Sequence, residues 1–148
     1  VKDGRTRKKL MSLYHQLGLF HHHELGLRAT TIAYSQCDDY INELCEVIES
    51  NVQLVESLLK DSSFKVIPME GTYLMWIDIT KLNLTSCQCQ KRLIHEAKVW
   101  LHDGSIFGPT GEGYVRMNVA TSPEQLIEAC QRLLLWVKEH NHESEPLK

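Results

Sequence analysis

No apolar run in this chain is long enough to cross a bilayer, so a helical membrane protein is not expected. The first residues are charged, and no apolar core with a small-residue cleavage site follows them, so no secretory leader is expected. A basic excess is missing too: 16 Lys and Arg stand against 19 Asp and Glu, for a net charge of −3. A general nucleic-acid binder carries a basic face, so neither nucleic acid nor membrane is an expected partner. The cluster Lys2, Arg5, Arg7, Lys8 and Lys9 reads as a solvated helix end. The five cysteines (Cys37, Cys45, Cys87, Cys89, Cys130) are odd in number and scattered. That usage points to reduced thiols and a cytoplasmic location.

Several catalytic and ligand motifs are absent as well. Cys87-x-Cys89 lacks the two-residue spacer of a zinc or redox pair and has no second pair. Nothing around Ser105 or Ser122 resembles a nucleophile elbow. Gly108-x-x-Gly111-x-Gly113 is followed by neither Lys-Ser/Thr nor a helix, so it is not a phosphate-binding P-loop. His95 and His102 have no base or nucleophile nearby in sequence, and no pair of acids suggests sugar hydrolysis. The consecutive His21, His22 and His23 diverge on a helix and alternate on a strand, so a shared metal is not expected.

What remains is a chain of 148 residues, 43% hydrophobic and 24% charged, which is one domain's worth of globular sequence. Leu10, Leu13, Tyr14, Leu17 and Phe20 predict a first amphipathic helix over 5–20. Leu25–Tyr34 is apolar and compact. Ile41, Leu44, Cys45, Ile48, Val52, Val55 and Leu59 then make one stripe on a long helix that starts at Asp38 or Asp39. Strands are predicted over 64–67, 73–79, 98–102 and 114–119. The 73–79 segment is so apolar that it should be central and covered. Thr85 or Ser86 starts a helix through Ala97, with Leu93 and Ile94 inward. Ser122-Pro123-Glu124 starts another, with Leu126, Ile127, Cys130, Leu133, Leu134 and Val137 inward. The expected class is α/β in the α+β sense. It has long helices and a small, mainly antiparallel sheet of three or four strands, with helices on one side, in the order α-α-β-β-α-β-β-α.

One feature stands out. The loop Gly108-Pro109-Thr110-Gly111-Glu112-Gly113 feeds Tyr114-Val115-Arg116-Met117-Asn118-Val119, a strand whose one charge is Arg116. A guanidinium is always charged and offers a planar fork of donors to a carboxylate or a phosphate. From spacing alone, Arg116 holds either a ligand or a structural ion pair.

Three blocks carry a family resemblance. They are Glu70-Gly71-Thr72-Tyr73-Leu74-Met75-Trp76-Ile77-Asp78, the run from Val99 to Gly108 with its Asp103-Gly104-x-x-Phe107-Gly108, and Gly111-Glu112-Gly113-Tyr114-Val115-Arg116-Met117-Asn118-Val119-Ala120. Together they resemble the C-terminal small domain of fold-type I, pyridoxal-phosphate-dependent enzymes of the class I/II aminotransferase family. Within it they look most like the cystathionine β-lyase (C–S lyase) branch. The resemblance implies that Arg116 grips the substrate's α-carboxylate, and that Gly71 and Thr72 lie at the substrate edge. It implies pyridoxal 5'-phosphate as cofactor, an upstream large domain and a homodimer when whole. It divides the chain into the end of a large-domain region (1–37), a connecting helix (38–60), the small domain (61–140) and a flexible tail (141–148).

The Schiff-base lysine, the partner of the pyridine nitrogen and the phosphate-binding residues of that family have no counterpart in this sequence. No catalytic residue is therefore assigned. The chain, which opens with Val1 in polar sequence, reads as an inactive piece of a longer enzyme. A class I/II aminotransferase is the first alternative. A non-catalytic α/β interaction module, using the stripe Leu10, Leu13, Leu17 and Phe20, is the second.

Overall fold

The computed structural model describes residues 1–19 and 23–141. Phe20, His21, His22 and residues 142–148 of the expected tail lie outside the described residues. Two compact units divide within a long helix, between Glu43 and Leu44.

The first unit holds α1 (Gly4–Gln16), α2 (Glu24–Gln36) and the start of α3 (Asp38–Leu59). Asp3 caps α1 by accepting the Thr6 N–H at 2.6 Å. Helix α2 fills the compact stretch 25–34, for which no element was expected. Neither α1 nor α2 buries a residue. His23 sits exposed at the N-cap position of α2 and makes no capping bond there.

The second unit carries the sheet. Strands β1 (Lys65–Val66), β2 (Leu74–Asp78), β3 (His102–Asp103) and β4 (Tyr114–Asn118) are arranged β1-β2-β4-β3, all antiparallel. Between the strands come α4 (Ser86–Arg92), which runs on into a π-helical turn (Leu93–Ala97), and after them α5 (Pro123–Asn141). The α-α-β-β-α-β-β-α order holds, with α2 as one helix more.

Alternation decides which face is core. Met75 and Ile77 of β2 and Val115 and Met117 of β4 are buried, together with Val55 and Leu59 of α3, Leu93, and Leu126, Cys130, Leu133 and Trp136 of α5. Strand β2 is central, as its apolarity predicted. It is covered on one face only: Leu74, Trp76 and Asp78 alternate outward and are half-buried. The α3 stripe divides in the same way. Val55 and Leu59 are buried and Ile48 and Val52 partly so, whereas Ile41 and Cys45, nearer the helix start, are exposed.

The third strand is shorter than predicted. Only His102 and Asp103 reach β4, opposite Arg116 and Val115. Upstream, Lys98 takes a left-handed conformation to close the π-helical turn, which spends the residues before Val99 on a reversal. Val99 and Leu101 still point into the core while Trp100 stands outward.

Candidate functional site

Residues of even number on β4 face away from the core, and this puts Arg116 on the uncovered face. It lies mid-strand, between Trp76 on β2 and His102 on β3. Its guanidinium carbon sits over the Phe107 ring, 4.1 Å from the centroid. Phe107 meets Trp76 edge-on at 5.5 Å, and Trp76 meets Tyr114 edge-on at 6.3 Å. Below the arginine is thus a run of three aromatic rings. Ile67, Trp76, Thr110, Gly111 and Tyr114 line an open pocket of about 300 Å³ on the same side.

Arg116 differs from the other two arginines of the second unit. Arg92 and Arg132 each pair with a glutamate one helical turn away, Glu96 and Glu128. Among the described residues no carboxylate pairs with Arg116, and its Nε is buried without a hydrogen-bond partner. Leaving a buried donor unmet costs about 1–3 kcal/mol, more on a charged group. A face-on aromatic ring returns about 0.5–2 kcal/mol of this, but it accepts no hydrogen bond. The arrangement therefore suits an acceptor from outside the chain, and a carboxylate presents two oxygens to such a fork.

The loop that presents this strand is tightly bound. The Ser86 hydroxyl is fully buried and accepts the N–H groups of Gly113 (2.9 Å) and Tyr114 (3.2 Å). The Ser86 N–H donates to Glu112 Oε1 at 2.8 Å. Ser86 is also the first residue of α4, whose N-cap is Thr85 in a reciprocal capping box with Gln88. The helix start and the arginine loop are thereby one structure. Cys87 and Cys89 lie within that helix, half-buried and buried.

A second set of bonds holds Phe107. Buried Asp103 accepts the Ser105 N–H at 2.8 Å and the Ser105 hydroxyl at 2.7 Å, starting a short turn over Gly104–Phe107. Gly104 and Gly111 touch backbone to backbone, and Gly108 has φ +122°, a conformation that needs glycine. Beyond Arg116, buried Asn51 of α3 donates its amide to the carbonyls of Val119 (2.8 Å) and Thr121 (2.9 Å).

Gly71 and Thr72 lie in the turn that enters β2, at the sheet end where Leu74 faces Asn118, two residues beyond Arg116. Both are exposed, and the surroundings of Gly71 are open. Thr72 has φ +67°, a strained value for a β-branched residue, and its hydroxyl accepts the Leu74 N–H at 3.2 Å. Sequence reasoning singled out Arg116 and missed the three rings, Ser86 and Asn51. A signal for Phe107 existed in its fixed distance from Gly104 and Gly108. Nothing in sequence brings Trp76 to Arg116, because strand pairing does that.

Comparisons with known proteins point to one family. The model of the family "Aminotransferase class I and II" matches residues 15–133. The cystathionine β-lyase PatB of Bacillus subtilis is 30% identical over 135 residues, which is 90% of this chain and 35% of the lyase. Cystalysin from Treponema denticola, solved with pyridoxal 5'-phosphate, superposes with a TM-score of 0.74 at 30% identity over 78% of this chain and 30% of that one. A PLP-bound putative aminotransferase from Clostridium difficile 630 gives a TM-score of 0.80 at 29% identity, covering 90% of this chain and 35% of its own. The chain thus spans about a third of the length of these relatives. With a family match over most of its length and an arginine strand set out as described, this chain belongs to the class I and II aminotransferase family.

Proposed function

We propose that this chain is the carboxylate-binding C-terminal piece of a pyridoxal-phosphate-dependent enzyme acting on amino acids, by C–S β-elimination on cystathionine- or cysteine-like substrates. The observation that carries the reading is the buried, unmet Nε of Arg116 on an open sheet face. A β-lyase among the similar proteins, at 30% identity over 90% of the chain, supports the reaction class. Arg116 holds the α-carboxylate of the substrate, and the Gly71-Thr72 turn lines the same edge. Gripping the carboxylate fixes the amino acid so that one bond lines up with the cofactor, which supplies the electron sink.

The residues present fit the substrate end of such a site and not the cofactor end. Every described lysine is exposed. The amine that would hold the cofactor belongs to an upstream large domain, in an enzyme that works as a homodimer in the cytoplasm. On this reading residues 1–37 end the large-domain region, 38–60 connect, and 61–140 form the small domain. The piece by itself is inactive. A second reading, transamination, is favoured by the putative aminotransferase with the TM-score of 0.80.

The test uses the full-length gene product. Pyridoxal phosphate should acquire the visible absorbance of a lysine adduct, and thiol release from cystathionine should exceed amino transfer to a 2-oxo acid. Arg116→Lys should raise KM steeply, because the fork is lost while the charge stays. Absence of cofactor binding would overturn the reading, and dominant amino transfer would move it to the second one.

A further inference from the structure

We infer that Phe107 is a positioning residue for the carboxylate fork, a platform that sets the plane of the Arg116 guanidinium. This rests on the reading of Arg116 as a carboxylate site and adds the residue that makes it selective in geometry. Three observations carry it. The guanidinium carbon lies over the Phe107 ring, 4.1 Å from its centroid, in direct contact with it. Among the described residues nothing else holds it: no ion pair is formed and Nε has no acceptor. The ring is itself fixed, from below by the edge of Trp76 at 5.5 Å and along the chain by the turn that Asp103 and the Gly104–Gly111 contact hold.

A long, flexible arginine without a platform samples many rotamers, and freezing it on binding costs affinity. A guanidinium already held against a fixed ring has lost part of that freedom before the ligand arrives. The ligand chemistry follows from the geometry: a planar monoanion with two oxygens, approaching in the plane of the fork. Phe107 is 45% exposed and stands outside the core, so replacing it removes the platform without emptying the interior.

The experiment is a solution NMR titration of the 148-residue chain with acetate. Binding is followed at the Tyr114 and Trp76 amides, and the Arg116 Nε–H is observed directly. The wild type should show an Nε–H signal displaced by the Phe107 ring. Phe107→Leu should return that signal to the range of the exposed arginines and weaken acetate binding about three- to tenfold. Phe107→Tyr, which keeps a ring, should restore both. If Phe107→Leu leaves signal and affinity unchanged while Arg116→Lys abolishes the acetate response, the carboxylate site stands and the platform is overturned. If Arg116→Lys leaves the response intact, the carboxylate reading falls and the platform with it.

Discussion

Gly104 and Gly111 close the arginine loop by direct backbone contact. A Cβ on Gly104 would lie 2.3 Å from the Gly111 carbonyl oxygen, and one on Gly111 would lie 2.1 Å from that of Gly104. Neither obstacle is a flexible side chain that can swing away. Both glycines are buried. The contact brings the turn bearing Phe107 against the start of the strand bearing Arg116, so backbone packing and the site are linked.

Gly104→Ala and Gly111→Ala should each destabilise the second unit by more than about 2 kcal/mol, as forced shifts of packed backbone do. Gly71→Ala, in open surroundings and without a positive φ, should stay within about 0.5 kcal/mol. Urea unfolding of the three variants checks this, and equal losses for all three would refute the contact.

Asn51 is a polar residue in an apolar stripe, 1% exposed, and it meets two carbonyls beyond Arg116. Asn51→Leu leaves the carbonyls of Val119 and Thr121 without that donor. The loss should be about 2–6 kcal/mol, at about 1–3 kcal/mol for each of the two groups left unmet. Calorimetry measures it. A stability equal to that of the wild type would mean that the carbonyls find another donor.

Stability on the acid side should depend on Asp78. Its Oδ1 accepts the Thr80 hydroxyl at 2.6 Å and the Thr80 N–H at 2.8 Å, and these bonds, the hydroxyl first, hold its carboxyl below the usual 3.8. A carboxyl lowered in the folded state stabilises above its unfolded pKa and loses that contribution as pH falls through the folded one. Asp78→Asn should therefore flatten the stability profile below about pH 4 and leave its shape above pH 5 unchanged. An unaltered acid limb would remove Asp78 from the account.

Alkaline stability should depend on two thiols. Burial pushes Cys89 from 9.0 up to about 12, against a smaller opposite effect of Arg92, and pushes Cys130 from 9.0 up to about 11. A thiol raised in the folded state keeps its proton where the unfolded chain has lost it. The stabilisation is complete below about pH 9 and declines as pH rises from there toward the folded values. Replacing both by Ala should flatten that decline. In the native protein a thiol reagent at pH 8 should label exposed Cys45 first and spare Cys89 and Cys130 until unfolding. Early labelling of Cys89 would contradict its burial.

Much of this molecule was legible in particular residues. Thr85 or Ser86 announced a capped helix, and Ser122-Pro123 announced another. The apolar run 73–79 announced a central strand, but Leu74 to Ile77 are all apolar, so which of them face the core was decided by packing. Arg116 stood out as the one charge on its strand. Helix α2 was not, since a short segment of mixed periodicity gives a weak signal. The shortened β3 was not either. Val99 and Leu101 alternate as a strand would, but pairing requires a neighbour within hydrogen-bond reach, and β4 offers one only at His102 and Asp103.

The sequence by itself determined most of the elements, their order and the presence of one charged fork on an apolar strand. Those properties are written within a few residues of one another, through periodicity, caps and turns. Tertiary structure decided what surrounds the fork. Register set Trp76 and His102 on either side of Arg116, the Gly104–Gly111 contact brought Phe107 under it, and Ser86 tied the loop to a helix 27 residues away in the chain. No local rule encodes such meetings, because each depends on two distant segments packing at one point. Burial then left Nε without a partner, and the proposed carboxylate role rests on that unmet donor.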